Sequence, residues 1–324
     1  MRRSIFAMRH GYRRSVPDKP AAEVVIDESL VRRLLVSQAT RVMPDAATLP
    51  LVKTAEGWDC EVWRAGDRLA VRLPRRALAA PLVLNEQRVL PGFAPLIAAT
   101  GVHLPAPVFG GIPDGGYPWS WSIVPWIDGT RGIDVPRGAR RGWADALAAA
   151  LGALHAPAPA GFPVNPFRGV PLTTRSAAIE ERLAQLRDAG TLDDRETDAV
   201  ASVWAEGVRV TAWAGEPVWI HGDLHPANLI AQGPRLTGII DFGDVTAGDP
   251  AYDLAVAWLA FDQEGRERFV AATNGRYDRA TWVRAHAWAA AVALMLLAHS
   301  DDEPAYAALG REAFDEVTGT HSGA

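Results

Sequence analysis

Five polar side chains in one stretch of the chain have the types and the spacing needed for chemistry on a phosphate group. His221, Asp223, His225 and Asn228 follow a short apolar run, and Asp241 follows two further apolar runs. Phosphoryl transfer needs a carboxylate that orients the attacking hydroxyl and accepts its proton, and it needs oxygen ligands for Mg²⁺. We therefore predict Asp223 as the catalytic carboxylate, and Asn228 with Asp241 as magnesium ligands.

Each of these residues also has a plainer interpretation. Taken alone, an aspartate in an Asp-Phe-Gly turn such as that of Asp241 is more often a turn former or a helix cap than a metal ligand. His221 and His225 are four residues apart, but no third ligand is evident and nothing places them on a helix, which disfavours a zinc hydrolase. Asp249 is expected to cap the helix that follows it.

The order of the polar residues is similar to the order found in kinases. Asp223 precedes Asn228 with four residues between them, and Asp241 opens an Asp-Phe-Gly triplet, as in the H-R-D-x-x-x-x-N and D-F-G motifs of protein kinases. Gly222 stands where protein kinases have arginine. This H-G-D-x-x-x-x-N form, together with GDPAYDLA at residues 248–255, resembles the aminoglycoside phosphotransferase family.

The resemblance implies an activity and places two further residues. A member of this family would transfer the γ-phosphate of ATP or GTP, in the presence of Mg²⁺, to a hydroxyl group of a small molecule. His221 would be a structural residue of the catalytic loop, and Asp253 would brace that loop.

The same resemblance places the grip on the nucleotide phosphates in the first third of the chain. Arg72 stands where a β-strand lysine would contact the α- and β-phosphates, and Glu86 on the following helix would be its partner. Arginine can hold phosphate as a bidentate fork, although it is bulkier than lysine and does not act as a point charge. The alternative is an ordinary surface ion pair between the two side chains.

Two further segments are expected to contact the nucleotide. No glycine-rich loop precedes the Arg72 strand, and a single glycine, Gly57, lies where backbone amides would cover the phosphates. Residues 124–129 are expected to form the hinge whose backbone meets the base. Within that hinge, Trp126 and Ile127 either wall the pocket or pack in the core. These residues do not distinguish ATP from GTP.

The acceptor is expected to bind on the later, helical part of the chain. Carboxylates would suit a cationic aminoglycoside, and Asp244 and Asp262 are the predicted ligands, with residues 301–303 as a further acidic run. The chain also has 12 tryptophans. If aromatic side chains such as Trp258 line the pocket rather than the core, a more apolar acceptor such as a macrolide becomes attractive.

The elements that must hold these residues indicate an α+β fold with two lobes, similar to that of protein kinases. A hairpin over residues 59–73, a helix over 82–99 and a strand over 120–126 predict a small β-rich N-lobe. A first helix is predicted over residues 24–39. Alanine-rich helical segments dominate the remainder, over residues 143–155, 176–189, 192–205, 250–261, 264–274 and 279–298. We therefore predict an N-lobe over residues 23–127, which binds the nucleotide, and a C-lobe over 128–324, which holds the catalytic loop and binds the acceptor. The basic segment 1–22 is interpreted as a disordered tail, or as an over-extended start with Met8 as the true first residue.

Composition excludes several other classes of protein. The formal net charge of -5 disfavours a nucleic-acid partner, whose binding surface is normally basic. The single cysteine, Cys60, excludes an intramolecular disulfide and favours a cytoplasmic location. The apolar run 287–298 is shorter than the roughly 20 residues of a membrane span, and is therefore expected to be a buried helix. The oligomeric state has no signal in the sequence.

Two rival functions remain open. The first is a metabolic kinase of the same fold that acts on a sugar or an amino alcohol, because a fold does not determine a substrate. The second is a nucleotide-binding module without catalysis, which the missing lysine and the single glycine would favour. The presence of Asp223, Asn228 and Asp241 together argues against this second alternative.

Overall fold

The first part of the protein is an antiparallel sheet with a helix on each side. The computed structural model describes residues 20–162, 165–300 and 303–319, so the tail predicted over residues 1–22 lies almost wholly outside the described residues. Asp27 accepts a hydrogen bond from the Leu30 amide at 2.8 Å and begins the first helix. The elements are α1 (Glu28–Gln38), β1 (Leu51–Glu56), β2 (Cys60–Ala65), β3 (Leu69–Pro74), α2 (Ala80–Ala98), β4 (Phe109–Gly111) and β5 (Trp121–Pro125).

The sheet has the order β1-β2-β3-β5-β4, with every neighbouring pair antiparallel. Gly66, at a φ of 62°, makes the turn between β2 and β3, which confirms the predicted hairpin. In the central strand β3, Val71 and Leu73 are fully buried in the core shared with α1. Because side chains alternate along a strand, Arg72 lies on the opposite face, toward α2.

The helix α2 joins the two parts of the molecule. Its Glu86 contacts Arg72 of the sheet at 3.0 Å. Four apolar residues of the same helix belong instead to the core of the helical part: Val89, Leu90, Phe93 and Ile97. One helix therefore links the sheet that is expected to hold the nucleotide to the body that holds the catalytic loop.

The later part of the chain is mostly helical. Its helices are α3 (Ala144–Leu154), α4 (Ser176–Asp188), α5 (Asp194–Arg209), α6 (Ala251–Leu254), α7 (Val256–Ala260), α8 (Gln263–Ala272), α9 (Arg279–Ala298) and α10 (Pro304–Thr318). The helix predicted over residues 250–261 is broken at Ala255 into α6 and α7. The other predicted helices are confirmed within a few residues, whereas α10 and the strand β1 were not predicted.

Helix α9 forms the centre of the helical part. It is the one helix in the described part of the chain whose length and composition would allow it to cross a membrane. However, 61% of its apolar window is buried inside the protein, where it packs against α4, α5, α6 and α10. The expectation of a buried helix is confirmed, although the helix is longer than the apolar run that suggested it.

Two small sheets hold the loops with the polar residues. They are built from β6 (Thr130–Arg131), β7 (Val218–Ile220), β8 (Leu229–Gln232), β9 (Arg235–Ile239) and β10 (Thr246–Gly248). The strand β8 pairs with β6 and β9, and β7 pairs with β10. The loop 221–228 joins β7 to β8, and the loop 240–245 joins β9 to β10, so the pairing of these strands brings both loops together.

Candidate active site

His221 connects the two loops through a fixed ring. The amide of Asp223 donates to Nδ1 of His221 at 3.1 Å, so the ring hydrogen lies on Nε2, which donates to the carbonyl of Ile240 at 2.9 Å. The ring also lies against Phe242, with 4.4 Å between the centroids. His221 therefore has the structural position that the resemblance implied for it.

Asp253 braces the same loop from behind. Its carboxylate is fully buried and accepts hydrogen bonds from the amides of His221 at 2.7 Å and Gly222 at 3.0 Å. Nε2 of His155 lies 3.2 Å from the same carboxylate. Because an ionised carboxylate only accepts, this nitrogen is the donor, and Nδ1 accepts from the hydroxyl of Tyr277 at 2.7 Å.

Asp249 anchors the segment that carries Asp253. Its carboxylate accepts from the amide of Ala251 at 3.0 Å, as expected for a residue that caps the next helix. The other carboxylate oxygen accepts from Nε of Arg284, on α9, at 2.6 Å, and both side chains are buried. The brace of the catalytic loop is thus tied to the central helix of the protein.

Asp223 lies at the surface of the loop beside Arg168 and His225. Its side chain is 30% exposed, with Nε2 of His225 and Nη2 of Arg168 each 3.5 Å from a carboxylate oxygen. Burial raises the pKa of this carboxyl group, but His225, Arg168 and His221 outweigh that effect and hold the pKa below its ordinary value. Asp223 is therefore ionised and accessible, as a group that orients a hydroxyl must be.

Asn228 and Asp241 present oxygen atoms beside Asp223. Nδ2 of Asn228 donates to the carbonyl of Asp223 at 2.8 Å, which leaves the amide oxygen as the group that can bind a cation. Asp241 has a φ of 63°, and its side chain is 55% exposed. One carboxylate and one amide oxygen suit Mg²⁺, which takes few protein ligands and completes its shell with phosphate and water.

The zinc alternative has no support in the structure. Among residues 20–162, 165–300 and 303–319, no group of three or more histidine, cysteine, aspartate or glutamate side chains could hold a metal ion. His221 uses both ring nitrogens within the protein. The Nδ1 atom of His225 accepts from the amide of Ala227 at 3.2 Å.

Arg72 forms an ion-pair cluster with Glu86, which is buried, and with Asp241, whose side chain is exposed. Its Nη1 lies 3.0 Å from Glu86 Oε1, and its Nη2 donates to Asp241 Oδ1 at 3.1 Å. Arg72 is 9% exposed and Glu86 is 1% exposed, so the alternative of a surface ion pair is wrong. The third guanidinium nitrogen, Nε, is buried without a hydrogen-bond partner among the described residues. An unpaired buried donor suits a site that takes an anionic ligand.

Burial and the neighbouring charges shift the pKa values of Arg72 and Glu86 in this cluster. Burial lowers the pKa of Arg72, but Glu86 and Asp241 outweigh it and keep the guanidinium charged. Burial raises the pKa of Glu86 to about 7, with a further contribution from Asp241, while Arg72 opposes both. The amide of Phe242 also donates to the Glu86 carboxylate. Glu86 therefore links α2 to both the sheet and the loop 240–245.

Arginine side chains brace the loop before β2, where other nucleotide-binding loops use glycines. The amide of Gly57 donates to the carbonyl of Cys60 at 2.9 Å and closes a tight turn. Arg75 donates to the carbonyl of Gly57 at 3.0 Å, and Arg76 donates to Asp59 at 2.6 Å. Burial raises the pKa of the Cys60 thiol to about 12, so this residue is a neutral packing group.

The side chain of Trp126 is held at the end of β5. Its indole nitrogen donates to Asp128 at 2.8 Å, and the Arg64 guanidinium lies over the ring, 4.8 Å from the centroid. Its amide donates to the carbonyl of Arg68 at 2.8 Å and so continues the pairing of β3 with β5. The Trp126 amide is therefore engaged within the sheet, and a base would have to bind to other groups of the hinge.

Ile127 packs against the C-lobe. A β-carbon at Gly238, in β9, would lie 2.8 Å from Cγ2 of Ile127, so the predicted hinge and β9 approach closely only because residue 238 is glycine. The side chain is half-buried. These contacts fix the position of the predicted hinge, whereas its contact with a base stays a prediction.

Asp244 belongs to the cluster around Asp223, as predicted, but it is already paired. It accepts from Nδ2 of Asn165 at 3.0 Å, and Nη2 of Arg168 lies 3.5 Å from its other oxygen. Burial raises the pKa of Asp244, and the neighbouring Asp223 and Asp241 add to that shift while Arg168 opposes it. Asn165 and Arg168 were missed from the sequence because they lie outside any recognisable motif.

Tyr306, at the start of α10, was also missed. Its ring lies edge-on against His225, with 5.7 Å between the centroids. Burial, together with Asp223 and Asp241, raises the pKa of its hydroxyl to about 12. Tyr306 therefore lies near both carboxylates. No linear signal connects it to the catalytic loop.

Asp262 and Trp258 lie apart from this cluster. Asp262 caps α8 by accepting from the amide of Gly265 at 3.0 Å, and it pairs with Arg141 at 2.6 Å. Trp258 stacks on His286 with 4.7 Å between the ring centroids. These contacts give both residues structural roles, and none of them connects either residue to Asp223. The acceptor-binding roles predicted for them stay predictions without structural support.

Comparison with known proteins gives relatives that agree with this geometry. A family model described as "Phosphotransferase enzyme family" matches residues 51–288. An aminoglycoside 3'-phosphotransferase of Escherichia coli is 32% identical over 114 residues, which cover 35% of this chain and 41% of the relative. A viomycin phosphotransferase of Streptomyces vinaceus is 34% identical over 73 residues, covering 20% of this chain and 25% of the relative. The matches thus span less than half the length of either relative.

Solved structures share the fold over most of the chain. A GDP complex of aminoglycoside 2'-phosphotransferase-IIIa has a TM-score of 0.61 at 21% identity and covers 89% of this chain and 98% of that one. A macrolide 2'-phosphotransferase from Brachybacterium faecium has a TM-score of 0.55 at 21% identity and covers 84% and 92%. The α+β, two-lobed kinase-like fold predicted from the sequence is confirmed.

The part of the chain that matches the family is the part that builds the site. Residues 51–288 include the Arg72 strand, the Glu86 helix, both polar loops and the Asp253 brace. Because this match covers most of the chain and agrees with the geometry, the chain belongs to the phosphotransferase enzyme family.

Proposed function

We propose that this protein is a kinase that transfers the γ-phosphoryl group of ATP or GTP to a hydroxyl group of a small molecule. The observation that carries the proposal is the convergence of three groups: the accessible Asp223, the oxygens of Asn228 and Asp241, and the buried Arg72–Glu86 pair that reaches Asp241. In phosphoryl transfer the protein mainly positions the reactants and balances charge, and these groups do both.

The nucleotide would lie between the sheet and the catalytic loop. The N-lobe, residues 23–127, would supply Arg72, whose Nε has no hydrogen-bond partner among the described residues, and the C-lobe, residues 128–324, would supply the catalytic groups. The hinge with Trp126 and Ile127 would meet the base. One relative of known structure was solved as a complex with GDP and another with streptomycin and ATP, and both nucleotides therefore belong in the assay.

Magnesium would be held by Asn228 and Asp241. When bound, it would neutralise charge on the nucleotide phosphates. In this state of the protein Asp241 is paired with Arg72 through Oδ1, which leaves its second oxygen for a cation. The donor set is all oxygen, as Mg²⁺ prefers.

Asp223 would act on the acceptor. Its ionised carboxylate accepts a hydrogen bond from the acceptor hydroxyl and orients the oxygen toward the γ-phosphorus. As the new oxygen–phosphorus bond forms and the bond to the β-phosphate oxygen breaks, the hydroxyl proton passes to Asp223. Because Arg168 and the neighbouring histidines keep the pKa of Asp223 low, its main contribution is orientation, with proton transfer late in the reaction.

An aminoglycoside is the acceptor that the comparisons favour. The matched relatives include proteins named as aminoglycoside phosphotransferases, and three carboxylates, those of Asp223, Asp241 and Asp244, lie near one another at the site. A macrolide is the second candidate, since a macrolide phosphotransferase shares the fold and the ring of Tyr306 lies beside the catalytic group. A metabolic hydroxyl compound is the third, and only direct assay separates the three.

The test is magnesium-dependent consumption of ATP and of GTP by the purified protein, with aminoglycosides, macrolides and simple hydroxylated metabolites as acceptors. Asp223→Asn keeps the size of the side chain and should lower kcat by about 10²- to 10⁴-fold. Asp188→Asn, a change at an exposed side chain on α4, is the matched control and should leave turnover unchanged. Turnover of the Asp223→Asn variant within twofold of the control would refute the proposed role.

A further inference from the structure

An arginine outside every recognised motif lies at the centre of the acidic cluster. Arg168 belongs to the segment 165–169, between α3 and α4. Gly169 docks this segment at a φ of 61°: a β-carbon there would lie 2.6 Å from Cδ1 of Ile220, in β7. A β-carbon at Gly248, in β10, would lie 2.5 Å from the carbonyl oxygen of Gly169. The segment is therefore packed tightly against the two strands that carry the catalytic loops.

One end of the Arg168 guanidinium is anchored by Tyr252, and the other end faces two carboxylates. Its Nη1 donates to the hydroxyl of Tyr252, and it lies 5.5 Å from the centroid of that ring. Tyr252 is in turn packed against Trp288, with 4.8 Å between the ring centroids. Nη2 of Arg168 lies 3.5 Å from an oxygen of Asp223 and 3.5 Å from an oxygen of Asp244. Two carboxylates thus share one anchored nitrogen.

We propose that Arg168 is a positioning residue that sets the orientation of Asp223, and that Asp244 balances its charge instead of binding the acceptor. The inference rests on the proposed function and deepens it. Without Arg168, the carboxylates of Asp223 and Asp244 would lie close together in a partly buried site with no shared cation, and like charges would drive them apart. With Arg168 in place, both are held at fixed distances from one anchored group.

The two roles of Asp244 make opposite predictions. If Asp244 bound a cationic acceptor, its loss would raise the KM for the acceptor whether or not Arg168 were present. If Asp244 is the counter-charge of Arg168, its neutralisation should matter little alone and should relieve the damage caused by losing Arg168. Asp244 already accepts from Asn165 at 3.0 Å, which favours the second role.

The experiment is a double-mutant cycle of wild type, Arg168→Met, Asp244→Asn and the double variant. The Arg168→Met change should lower kcat by roughly 30-fold or more, as for truncation of a partly buried charged partner, with little change in the KM for nucleotide. The kcat of the double variant should be about tenfold higher than that of Arg168→Met alone. Arg168→Lys should retain more turnover than Arg168→Met. The matched control is Arg175→Met, which removes a neighbouring arginine that lies over Phe167, and it should leave kcat unchanged.

The outcomes separate this inference from the proposed function. If kcat of the double variant equals the product of the two single effects, or if Asp244→Asn mainly raises the acceptor KM, the inference is wrong. If the wild type phosphorylates no acceptor, the proposed function fails, and the same four proteins are compared by urea unfolding. If Arg168→Met lowers the unfolding free energy less in the Asp244→Asn background than in the wild type, the pairing of Arg168 with Asp244 is supported. Equal decreases in both backgrounds overturn it. If Arg168→Met does not fold, Arg168→Gln takes its place in the cycle.

Discussion

The buried carboxylate of Asp253 offers the sharpest test of how the catalytic loop is held. It accepts three hydrogen bonds, from the amides of His221 and Gly222 and from the ring of His155, at 2.7, 3.0 and 3.2 Å. In Asp253→Asn the shape is kept, but one oxygen becomes an NH₂ group that faces a donor. We expect this variant to fold with reduced stability and to lose turnover, because the loop with Asp223 loses its support.

The expected magnitude follows from the number and kind of bonds lost. A hydrogen bond to a charged group contributes about 1.5–3 kcal/mol, and a buried donor left without a partner costs about 1–3 kcal/mol. One lost bond and one unpaired amide therefore predict a decrease of about 3–4 kcal/mol in the free energy of unfolding. This is a large part of the roughly 5–15 kcal/mol typical of a folded protein.

The assay combines urea unfolding with phosphate-transfer kinetics. A loss of about 3 kcal/mol corresponds to a decrease of about 1 M in the urea midpoint for an m-value near 3 kcal/mol/M. Tyr277→Phe removes only the far end of the chain of hydrogen bonds and should cost about 1 kcal/mol, with a small effect on kcat. Asp188→Asn should change neither quantity. An Asp253→Asn protein with a wild-type midpoint and kcat would refute the bracing role.

Three further changes test other parts of the structure. Glu86→Gln leaves the buried charge of Arg72 with one partner fewer. In urea melts this should cost about 3 kcal/mol of unfolding free energy, and in kinetics it should raise the KM for nucleotide. An unchanged KM would contradict the role of the Arg72–Glu86 pair in holding the nucleotide phosphates. Tyr306→Ala should raise the KM for the acceptor by about tenfold without changing the KM for nucleotide, whereas Tyr306→Phe should show which part of that effect comes from the hydroxyl. Burial lowers the pKa of His286, so the unfolded chain binds more protons than the folded one near pH 6.5, and stability should fall as the pH drops below 6.5 by at most about 1.4 kcal/mol per pH unit. In melts between pH 5.5 and 7.5, His286→Gln should reduce the dependence of stability on pH. His103→Gln, a change at an exposed side chain, should leave that dependence as it is in the wild type. Equal slopes in the wild type and both variants would contradict the assignment to His286.

The grouping of the candidate site residues could be predicted because they are close together in the chain, whereas their catalytic and metal-binding roles stay predictions. Asp223, Asn228 and Asp241 fall within one stretch whose spacing is set by a loop, a hairpin and a turn, so the linear order already contains most of the geometry. Arg72 and Glu86 could be paired from the resemblance, since a strand followed by a helix places them on facing surfaces. Their burial, which excludes a surface pair, required the three-dimensional packing.

The acceptor side could not be predicted in the same way. Arg168 and Tyr306 come from segments far from Asp223 in the chain, and only tertiary packing brings them to it. Asp262 was an attractive acidic candidate, but an aspartate just before a helix is also a common N-cap residue, and the structure shows it capping α8. Counting acids and aromatics does not separate ligands from caps and core.

The missed secondary structure has equally specific causes. Only the first residue of β1, Leu51, is buried, so this edge strand has no alternation of apolar and polar residues to detect. Helix α10 does carry a helical pattern, with Leu309, Ala313, Phe314 and Val317 buried. Its sequence is rich in alanine and polar residues and directly follows the acidic run 301–303, so its apolar face is only weakly marked.

The glycine that distinguishes this loop from that of protein kinases has a structural reason, and it explains why an arginine is supplied from elsewhere. Gly222 has a φ of 82°, and a β-carbon there would collide with the carbonyl oxygen of Asp244. No side chain can therefore project from position 222 while the loop 221–228 packs against the loop 240–245. The cation beside Asp223 has to come from another segment, and Arg168, docked through Gly169, lies where it meets that requirement. The close packing of the two loops and the distant origin of the arginine are thus two consequences of one constraint.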